Sequence, residues 1–197
     1  MKILSAEYVK GTLELENRGM GKIPEVCFIG RSNVGKSSMI NTLVMKKVAR
    51  TSSTPGATRM VNLYKISYEF KGIKKWVLFS DFPGFGYSKV SKSTYMSWKK
   101  IIERYIMGNK FIRRLIWIFD VRRDMDALDE MLMEWIKDRG IDFTLVLTKI
   151  DKESRQNVAK KREMFGKVFR NDSIFVFSSK DGYGRKELLS HIFNIVG

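Results

Sequence analysis

The stretch Gly30–Ser37 reads GRSNVGKS, in which four residues separate a glycine from the triplet Gly-Lys-Ser. The apolar run EVCFI precedes it, and SMINTLV, a segment with helical character, follows it. A loop of this spacing between a strand and a helix wraps phosphates with backbone amides, while its lysine contacts the outer phosphates and its serine ligates Mg²⁺. The pattern therefore predicts a nucleotide-binding loop. The residues expected to contact the nucleotide here are Gly30, Arg31, Ser32, Asn33, Val34, Gly35, Lys36, Ser37 and Ser38.

Short β-branched and aromatic runs alternate with amphipathic segments along the chain. The runs predict buried strands, at residues 25–30, 60–70, 75–81, 114–120, 142–149 and 173–179. Stripes of apolar residues three and four apart predict helices, at residues 92–107, 124–138, 153–169 and 185–196. The glycine-containing segment KGIK joins the second and third runs, which predicts an antiparallel hairpin.

This alternation predicts an α/β fold with a six-stranded, mostly parallel sheet, one antiparallel strand and helices on both faces. Ligands of such sheets bind at the carboxyl ends of the strands, which is where the phosphate loop falls. Residues 23–197 are expected to form one domain, because a chain of 197 residues suits a single core. Residues 1–22 are expected to be an N-terminal arm or an edge strand.

The chain is strongly basic, with a formal net charge of +16 and a pI near 9.9. A long-range positive field attracts polyanions, so the scattered basic pairs favour a nucleic-acid-binding surface over a merely solvated one. No apolar run reaches the ~20 residues of a membrane helix, and the first residues lack a secretory core. A cytoplasmic protein without membrane contact is therefore expected. Cys27 and His191, the single cysteine and histidine, are expected to be structural.

The tetrapeptide TKID, Thr148–Asp151, ends the predicted strand DFTLVL and indicates which base is selected. A carboxylate in the plane of the base can accept hydrogen bonds from guanine N1–H and N2–H, whereas adenine lacks this pair of donors. Lys149 would lay its aliphatic stem along the ring. Together with the phosphate loop, TKID predicts GTP and GDP as ligands. A surface salt-bridge pair is the alternative interpretation of TKID.

The segments GRSNVGKSSMIN, TSSTPGATRMVNLY and DFPGFGYSKV resemble the EngB family, also called YihA or YsxC, of bacterial ribosome-biogenesis GTP-binding proteins. The resemblance spans nearly the whole chain and implies a Ras-like phosphate-loop GTPase domain that binds GTP or GDP with Mg²⁺. It also implies a role in assembly of the large ribosomal subunit and in normal cell division and septation. The implied partner is the large subunit or its precursor, through rRNA or ribosomal proteins. DNA binding is not expected. The protein is expected to be a monomer.

The resemblance implies which residues outside the phosphate loop touch the nucleotide. The first-switch motif PGATR comprises Pro55, Gly56, Ala57, Thr58 and Arg59. The second-switch motif DFPG comprises Asp81, Phe82, Pro83 and Gly84. The base motifs TKID and SSK comprise Thr148, Lys149, Ile150, Asp151, Ser178, Ser179 and Lys180. Many GTPases have asparagine where this chain has Thr148, so a modest affinity for the base is expected.

The resemblance implies the metal and phosphate contacts as well. Mg²⁺ would be held by Ser37, by Thr58 and, through a water, by Asp81. Thr58 and the Gly84 amide would contact the outermost phosphate. Residues implied to assist catalysis are Lys36, Thr58, Gly84 and Asn33.

Phe85 follows the second-switch glycine, where Ras-type enzymes have a glutamine that orients water. A phenyl ring cannot do this, so an intrinsic hydrolysis rate no faster than ~10⁻⁴ to 10⁻³ s⁻¹ is expected. Asn33 matches the position at which some relatives bind K⁺ beside the phosphates, and such an ion would substitute for an arginine finger. A loop-shaping hydrogen bond is the alternative role for Asn33.

Two other classes of function are compatible with a phosphate loop. A small-metabolite kinase would prefer ATP, would need an acceptor pocket and usually an arginine-rich lid, and would have no use for TKID. A nucleic-acid-binding scaffold with a structural nucleotide would bind RNA equally in its GDP, GTP and nucleotide-free forms. A GTPase switch is the interpretation that uses every motif.

Overall fold

A computed structural model describes residues 2–12, 20–51, 60–86, 100, 102–169 and 174–197. The strands are β1 Lys2–Thr12, β2 Glu25–Gly30, β3 Val61–Phe70, β4 Ile73–Asp81, β5 Ile112–Asp120, β6 Phe143–Thr148 and β7 Ile174–Phe177. The helices are α1 Lys36–Val44, α2 at residues 102–108, α3 Ala127–Asp138, α4 Arg155–Phe169 and α5 Arg185–Val196, with a short 3₁₀ turn at Ile150–Lys152.

The sheet has seven strands in the order β1-β3-β4-β2-β5-β6-β7, one more than the six predicted. The additional strand is β1, which pairs antiparallel with β3 at the edge of the sheet. Its sequence, KILSAEYVKGT, lacks an apolar run because most of its side chains are partly or fully exposed, so only its pairing with β3 identifies it as a strand. The β3–β4 hairpin is antiparallel as predicted, while β4, β2, β5, β6 and β7 are parallel.

Two apolar cores cover the two faces of the sheet, as predicted for helices on both sides. One core packs α1 and α5 on the sheet, through residues such as Met39, Ile40 and Phe193. The other packs α2, α3 and α4 on the opposite face. The apolar stripe predicted for residues 124–138 comprises Leu128, Met131, Leu132 and Trp135, but Met131 is 42% exposed. That part of the prediction was wrong, because the core contacts Leu132 and Trp135 on the neighbouring side of the helix.

The parallel strands place several polar residues at one edge of the sheet. Gly30, Asp81, Asp120 and Thr148 end β2, β4, β5 and β6 respectively. In the parallel register Phe28 pairs with Asp81 and Asp120 with Thr148, so these four strand ends lie side by side. The described part of the chain contains no helix long and apolar enough to cross a membrane.

Candidate nucleotide-binding site

The phosphate loop connects β2 to α1 at this edge. Gly30 has a φ of 152°, and a Cβ there would lie 2.5 Å from the carbonyl oxygen of Ile118, so the loop can leave the sheet only through a glycine. Helix α1 begins at Lys36 without a capping side chain and without an acidic residue in its first turn. The amides of that turn have no partner within the helix, so they can donate to phosphate oxygens.

The Lys36 ammonium lies inside the curve of the loop. Its Nζ donates hydrogen bonds to the carbonyl oxygens of Gly30, at 3.3 Å, and Arg31, at 3.0 Å. Burial lowers the pKa of Lys36, while the nearby Asp81 carboxylate acts in the opposite direction. A phosphate would supply the negative charge that a buried ammonium needs, so the loop is electrostatically suited to an anion.

Ser37 and Asp81 form the candidate metal site. The Ser37 hydroxyl donates to Asp81 Oδ2 at 2.6 Å. Asp81 Oδ1 and Ser32 Oγ are buried, and neither has a hydrogen-bond partner in the described ranges. Burial raises the pKa of Asp81, and Lys36 and the Ser37 hydroxyl partly offset this. A hydroxyl beside an unsatisfied carboxylate oxygen suits Mg²⁺, which completes its shell with waters and nucleotide phosphates. Within the described ranges no three His, Cys, Asp or Glu residues form a metal site on their own.

The beginning of the second switch rests directly on the phosphate loop. A Cβ on Gly84 would lie 2.7 Å from Ser32 Cα and 2.9 Å from Lys36 Nζ, so the backbone reaches the lysine only because this residue is a glycine. The Ser32 amide donates to the Phe85 carbonyl oxygen at 2.9 Å. The rings of Phe82 and Phe85 are buried in the core. The segment following Asp81 therefore contacts the loop through its backbone.

The residues of TKID take distinct positions at the end of β6. The Thr148 hydroxyl is buried and donates to the carbonyl oxygens of Val34 and Phe119, at 2.8 and 3.1 Å. Thr148 thus anchors the phosphate loop, and this hydroxyl proton is not available to a base. Lys149, which has a left-handed backbone with φ of 60°, donates to the Asn33 carbonyl oxygen at 2.6 Å. Its aliphatic stem therefore extends from β6 towards the phosphate loop.

Asp151 and the SSK motif meet although they lie far apart in sequence. The Ser178 hydroxyl donates to Asp151 Oδ1 at 3.0 Å. The amide of Lys180 donates to the same hydroxyl at 3.3 Å. Ser178 is fully buried, whereas Asp151 is exposed. The contact orients the exposed Asp151 carboxylate and leaves it able to accept further hydrogen bonds.

Comparison with known proteins agrees with this geometry. The family model described as "50S ribosome-binding GTPase" matches residues 25–149. The "Probable GTP-binding protein EngB" of Aquifex aeolicus is 42% identical over 172 residues, which are 87% of this chain and 90% of that protein. The chain belongs to the EngB family of GTP-binding proteins. It is a GTPase. A second EngB protein, from Syntrophus aciditrophicus, is 38% identical over 98% of this chain and 95% of its own length.

Solved structures of Era share the fold of this EngB protein. An Era variant from Aquifex aeolicus bound to GDP and AlF₄⁻ superposes with a TM-score of 0.74 at 24% identity, covering 89% of this chain and 57% of the Era chain. Era in complex with MgGDPNP and nucleotides 1506–1542 of 16S ribosomal RNA superposes with a TM-score of 0.73, with the same identity and coverage.

Asp120 and Arg122 of this EngB protein support the site, although neither belongs to one of the predicted motifs. Asp120 Oδ2 lies 2.9 Å from Lys149 Nζ, and both Asp120 oxygens accept hydrogen bonds from the Arg122 guanidinium, at 2.7 and 2.9 Å. Burial alone would raise the pKa of Asp120, but the bonds from Arg122 and Lys149 lower it to about 2. Asp120 ends β5 as Asp81 ends β4. In the sequence RLIWIFD, Asp120 directly follows an apolar run, and this position could have identified it as a site residue.

Arg31 has a role that the phosphate-loop pattern did not predict. Its NH2 group donates to the Gly86 carbonyl oxygen at 2.8 Å, and its NH1 group pairs with Asp126, the N-cap residue of α3. The guanidinium carbon also lies 5.9 Å from the centre of the Phe85 ring. Arg31 therefore ties the phosphate loop to the second switch and to α3.

The remaining predicted residues are only partly accounted for. Pro55, Gly56, Ala57, Thr58 and Arg59 lie outside the described residues. Asn33 has a left-handed backbone, with φ of 63°, and is exposed beside the loop. Val34 and Ser38 take their expected positions in the loop and the first turn of α1, while Pro83 and Ile150 are backbone links in the second switch and the base motif. Ser179 contributes its carbonyl oxygen, 3.5 Å from the Thr42 hydroxyl.

Proposed function

We propose that this EngB protein is a slow, GTP-controlled switch that binds the large ribosomal subunit or its precursor in the cytoplasm, assists its assembly, and leaves after hydrolysis. The observation that carries the proposal is the direct contact of Gly84 and Phe85 with the loop residues Ser32 and Lys36. A segment seated on the loop that grips the outer phosphates must respond to whether the last phosphate is present. Nucleotide state is thereby coupled to the position of the second switch.

The residues proposed to hold the nucleotide divide into two groups. Lys36 and the amides of the loop and of the first α1 turn hold the phosphates, with Gly84 and Thr58 sensing the last one. Ser37, Thr58 and, through a water, Asp81 hold Mg²⁺, which when bound neutralises phosphate charge. Guanine selection falls to Asp151, positioned by the Ser178 hydroxyl at 3.0 Å, with Lys149 along the ring.

Hydrolysis by the isolated protein is proposed to be slow. Phe85 has no group that could orient water, and its ring is 2% exposed and packed in the core. K⁺ held by Asn33 and first-switch carbonyl oxygens would supply the missing positive charge, and a ribosomal particle would order the switch. The test compares turnover in KCl and in NaCl, with and without large subunits. Equal rates in both salts under both conditions would refute the role of K⁺.

Three observations support a ribosomal partner. The net charge of +16 suits a polyanion, the matching family model is described as ribosome-binding, and Era, which shares the fold, has been crystallised with 16S ribosomal RNA. The large subunit is the partner implied by the EngB resemblance. Impaired assembly of that subunit would slow growth, and this is the proposed link to division and septation.

Co-sedimentation with large ribosomal subunits in GDP, GTP and a non-hydrolysable GTP analogue tests the proposal. Binding should be markedly tighter in the triphosphate states, and Asp151→Ala should abolish this difference at nucleotide concentrations that saturate the wild type. Equal binding in GDP, GTP and nucleotide-free forms would instead indicate the scaffold function. A preference for ATP over GTP in calorimetric titrations would indicate the kinase function.

A further inference from the structure

The turn of the β3–β4 hairpin lies at the end of the sheet opposite the nucleotide site. Its two turn residues, Lys71 and Gly72, have positive φ angles of 51° and 77°. This combination is the one used by tight two-residue hairpin turns that match the twist of their strands. Phe70 and Ile73 pair directly across the turn. The hairpin end therefore presents its side chains from a fixed backbone.

Apolar side chains at this hairpin end are exposed to solvent. Ile73 is 60% exposed and Trp76 is 42% exposed, whereas burial is complete from Val77 onwards. Tryptophan buries more apolar surface than any other side chain when it finds a partner. We name the exposed set of Lys71, Ile73, Lys74 and Trp76 the hairpin patch.

The lysines of the hairpin patch lie against aromatic rings and are not neutralised by carboxylates. Lys74 Nζ lies 5.4 Å from the centre of the Trp76 ring. Lys71 and Lys75 lie 5.4 and 5.8 Å from the centre of the Phe70 ring. Within the described ranges no Asp or Glu side chain forms an ion pair with Lys71 or Lys74, whereas Lys75 donates to a backbone oxygen of Gly197. The patch thus combines unpaired positive charge with aromatic surface.

Further basic residues surround the hairpin patch at the same end of the sheet. The amide of Leu78 donates to the carbonyl oxygen of Pro24 at 2.9 Å, so the segment before β2 runs beside the base of the hairpin. The amide of Glu25 in turn donates to the carbonyl oxygen of Phe111 at 2.9 Å, which brings in the loop before β5. These segments add three exposed cations to this end of the molecule: Lys22, Lys110 and Arg113.

We propose that the hairpin patch is an RNA-binding surface that holds an unpaired segment of ribosomal RNA irrespective of the bound nucleotide. An unstacked base stacks on Trp76, and Lys71 and Lys74 neutralise adjacent phosphates. The charge of the patch and its surroundings matches a polyanion, and its aromatic component matches single-stranded rather than duplex RNA. The inference rests on the proposed ribosomal function and adds to it a second contact, remote from the switches, so that the switches control only part of the binding.

The test uses two probes, a fluorescein-labelled U20 RNA measured by anisotropy at several KCl concentrations, and purified large ribosomal subunits measured by co-sedimentation. Trp76→Ala should weaken U20 binding about 5- to 150-fold, the range for loss of one base–aromatic stack, while Trp76→Phe should retain most of the affinity. Lys71→Gln/Lys74→Gln should reduce the slope of log K against log salt by about 1.4, at about 0.7 for each phosphate contact on a single strand. Each factor should be the same with GDP and with the GTP analogue.

Lys160→Gln/Arg162→Gln, at exposed positions of α4 for which the described ranges show no ion pair, is the matched charge control. An equal loss of binding in both double variants would show that only net charge matters, and would overturn the proposal. Unchanged U20 binding by Trp76→Ala would also overturn it, even if subunit binding fell, since a protein contact would then be indicated. If the wild type showed no triphosphate-dependent binding to subunits, the proposed function would be refuted but the hairpin patch would not, because the U20 measurements test the hairpin patch separately. Thermal unfolding and GDP affinity confirm that each variant is folded.

Discussion

Replacing Asp120 by asparagine would remove one negative charge from between two cations while keeping the shape of the side chain. Asp120 contacts Lys149 Nζ at 2.9 Å and the Arg122 guanidinium at 2.7 Å, and its side chain is 5% exposed. An asparagine amide keeps one acceptor oxygen but directs N–H donors at a cation. We therefore expect Asp120→Asn to weaken both the fold and the seating of Lys149.

The magnitude follows from the pKa of Asp120. Burial would raise this pKa, but the bonds from Arg122 and Lys149 lower it from 3.8 to about 2. At about 1.4 kcal/mol for each pKa unit, the ionised carboxylate contributes about 2.5 kcal/mol to folding. Because the pKa of the folded state lies below that of the unfolded chain, the contribution is complete above about pH 4 and is lost as the pH falls towards 2.

Urea unfolding without nucleotide, followed by tryptophan fluorescence, measures the effect on stability. At pH 7 the free energy of unfolding of Asp120→Asn should be about 2 kcal/mol lower than that of the wild type. The difference should persist at pH 5 and shrink at pH 3. Titration with a fluorescent GDP analogue should show a loss of affinity of about tenfold, since one charge-assisted bond to Lys149 is lost.

Asp124→Asn is the matched control, because Asp124 pairs with Lys161 but its carboxylate is 92% exposed. Its urea midpoint should equal that of the wild type. Equal midpoints for wild type and Asp120→Asn at pH 7, or an equal loss in Asp124→Asn, would refute the reasoning.

Three further substitutions test the site and its support. Gly84→Ala should slow single-turnover GTP hydrolysis by about 100-fold at nearly unchanged GDP affinity, because its Cβ would lie 2.7 Å from Ser32 Cα and displace the second switch. A hydrolysis rate equal to that of the wild type would contradict this. Asp151→Asn should weaken GDP binding about 10²- to 10³-fold in calorimetry, and a retained preference for GDP over ADP would refute the guanine assignment. Glu25→Gln should lower the free energy of unfolding by about 1–3 kcal/mol, since an amide cannot accept all the hydrogen bonds that the buried carboxylate receives, including one from Tyr105 at 2.8 Å. Tyr105→Phe should lower the free energy of unfolding by less. Urea midpoints equal to wild type in both variants would contradict the role of these hydrogen bonds.

The fold was largely predictable because its signals are local. A buried parallel strand needs an unbroken apolar run, and a phosphate loop needs glycines and a helix start within eight residues, so each is visible in a short window. Strand β1 was not visible in this way. Its side chains face solvent on most positions, and what makes it a strand is the hydrogen bonding of its backbone to β3. Backbone pairing of this kind leaves little trace in side-chain composition.

The candidate site likewise combines local motifs with contacts between distant segments. GRSNVGKS and TKID predict phosphate and base contacts from neighbouring residues, and the contacts of DFPG were implied by the resemblance to the EngB family. The contacts that position these groups join distant segments. Arg31 pairs with Asp126, 95 residues further along the chain, and Lys149 bonds to the Asn33 carbonyl oxygen, 116 residues earlier.

The alignment of the strands at one edge of the sheet determines which cations contact Asp120 and which carbonyl oxygen accepts the hydrogen bond from Arg31. Alignment of this kind is set by packing of the two cores, and no short stretch of sequence encodes it. The chemistry of nucleotide binding was therefore readable in the chain, while the supports that orient it, and the exposure of Trp76 on the far hairpin, were decided by the tertiary structure.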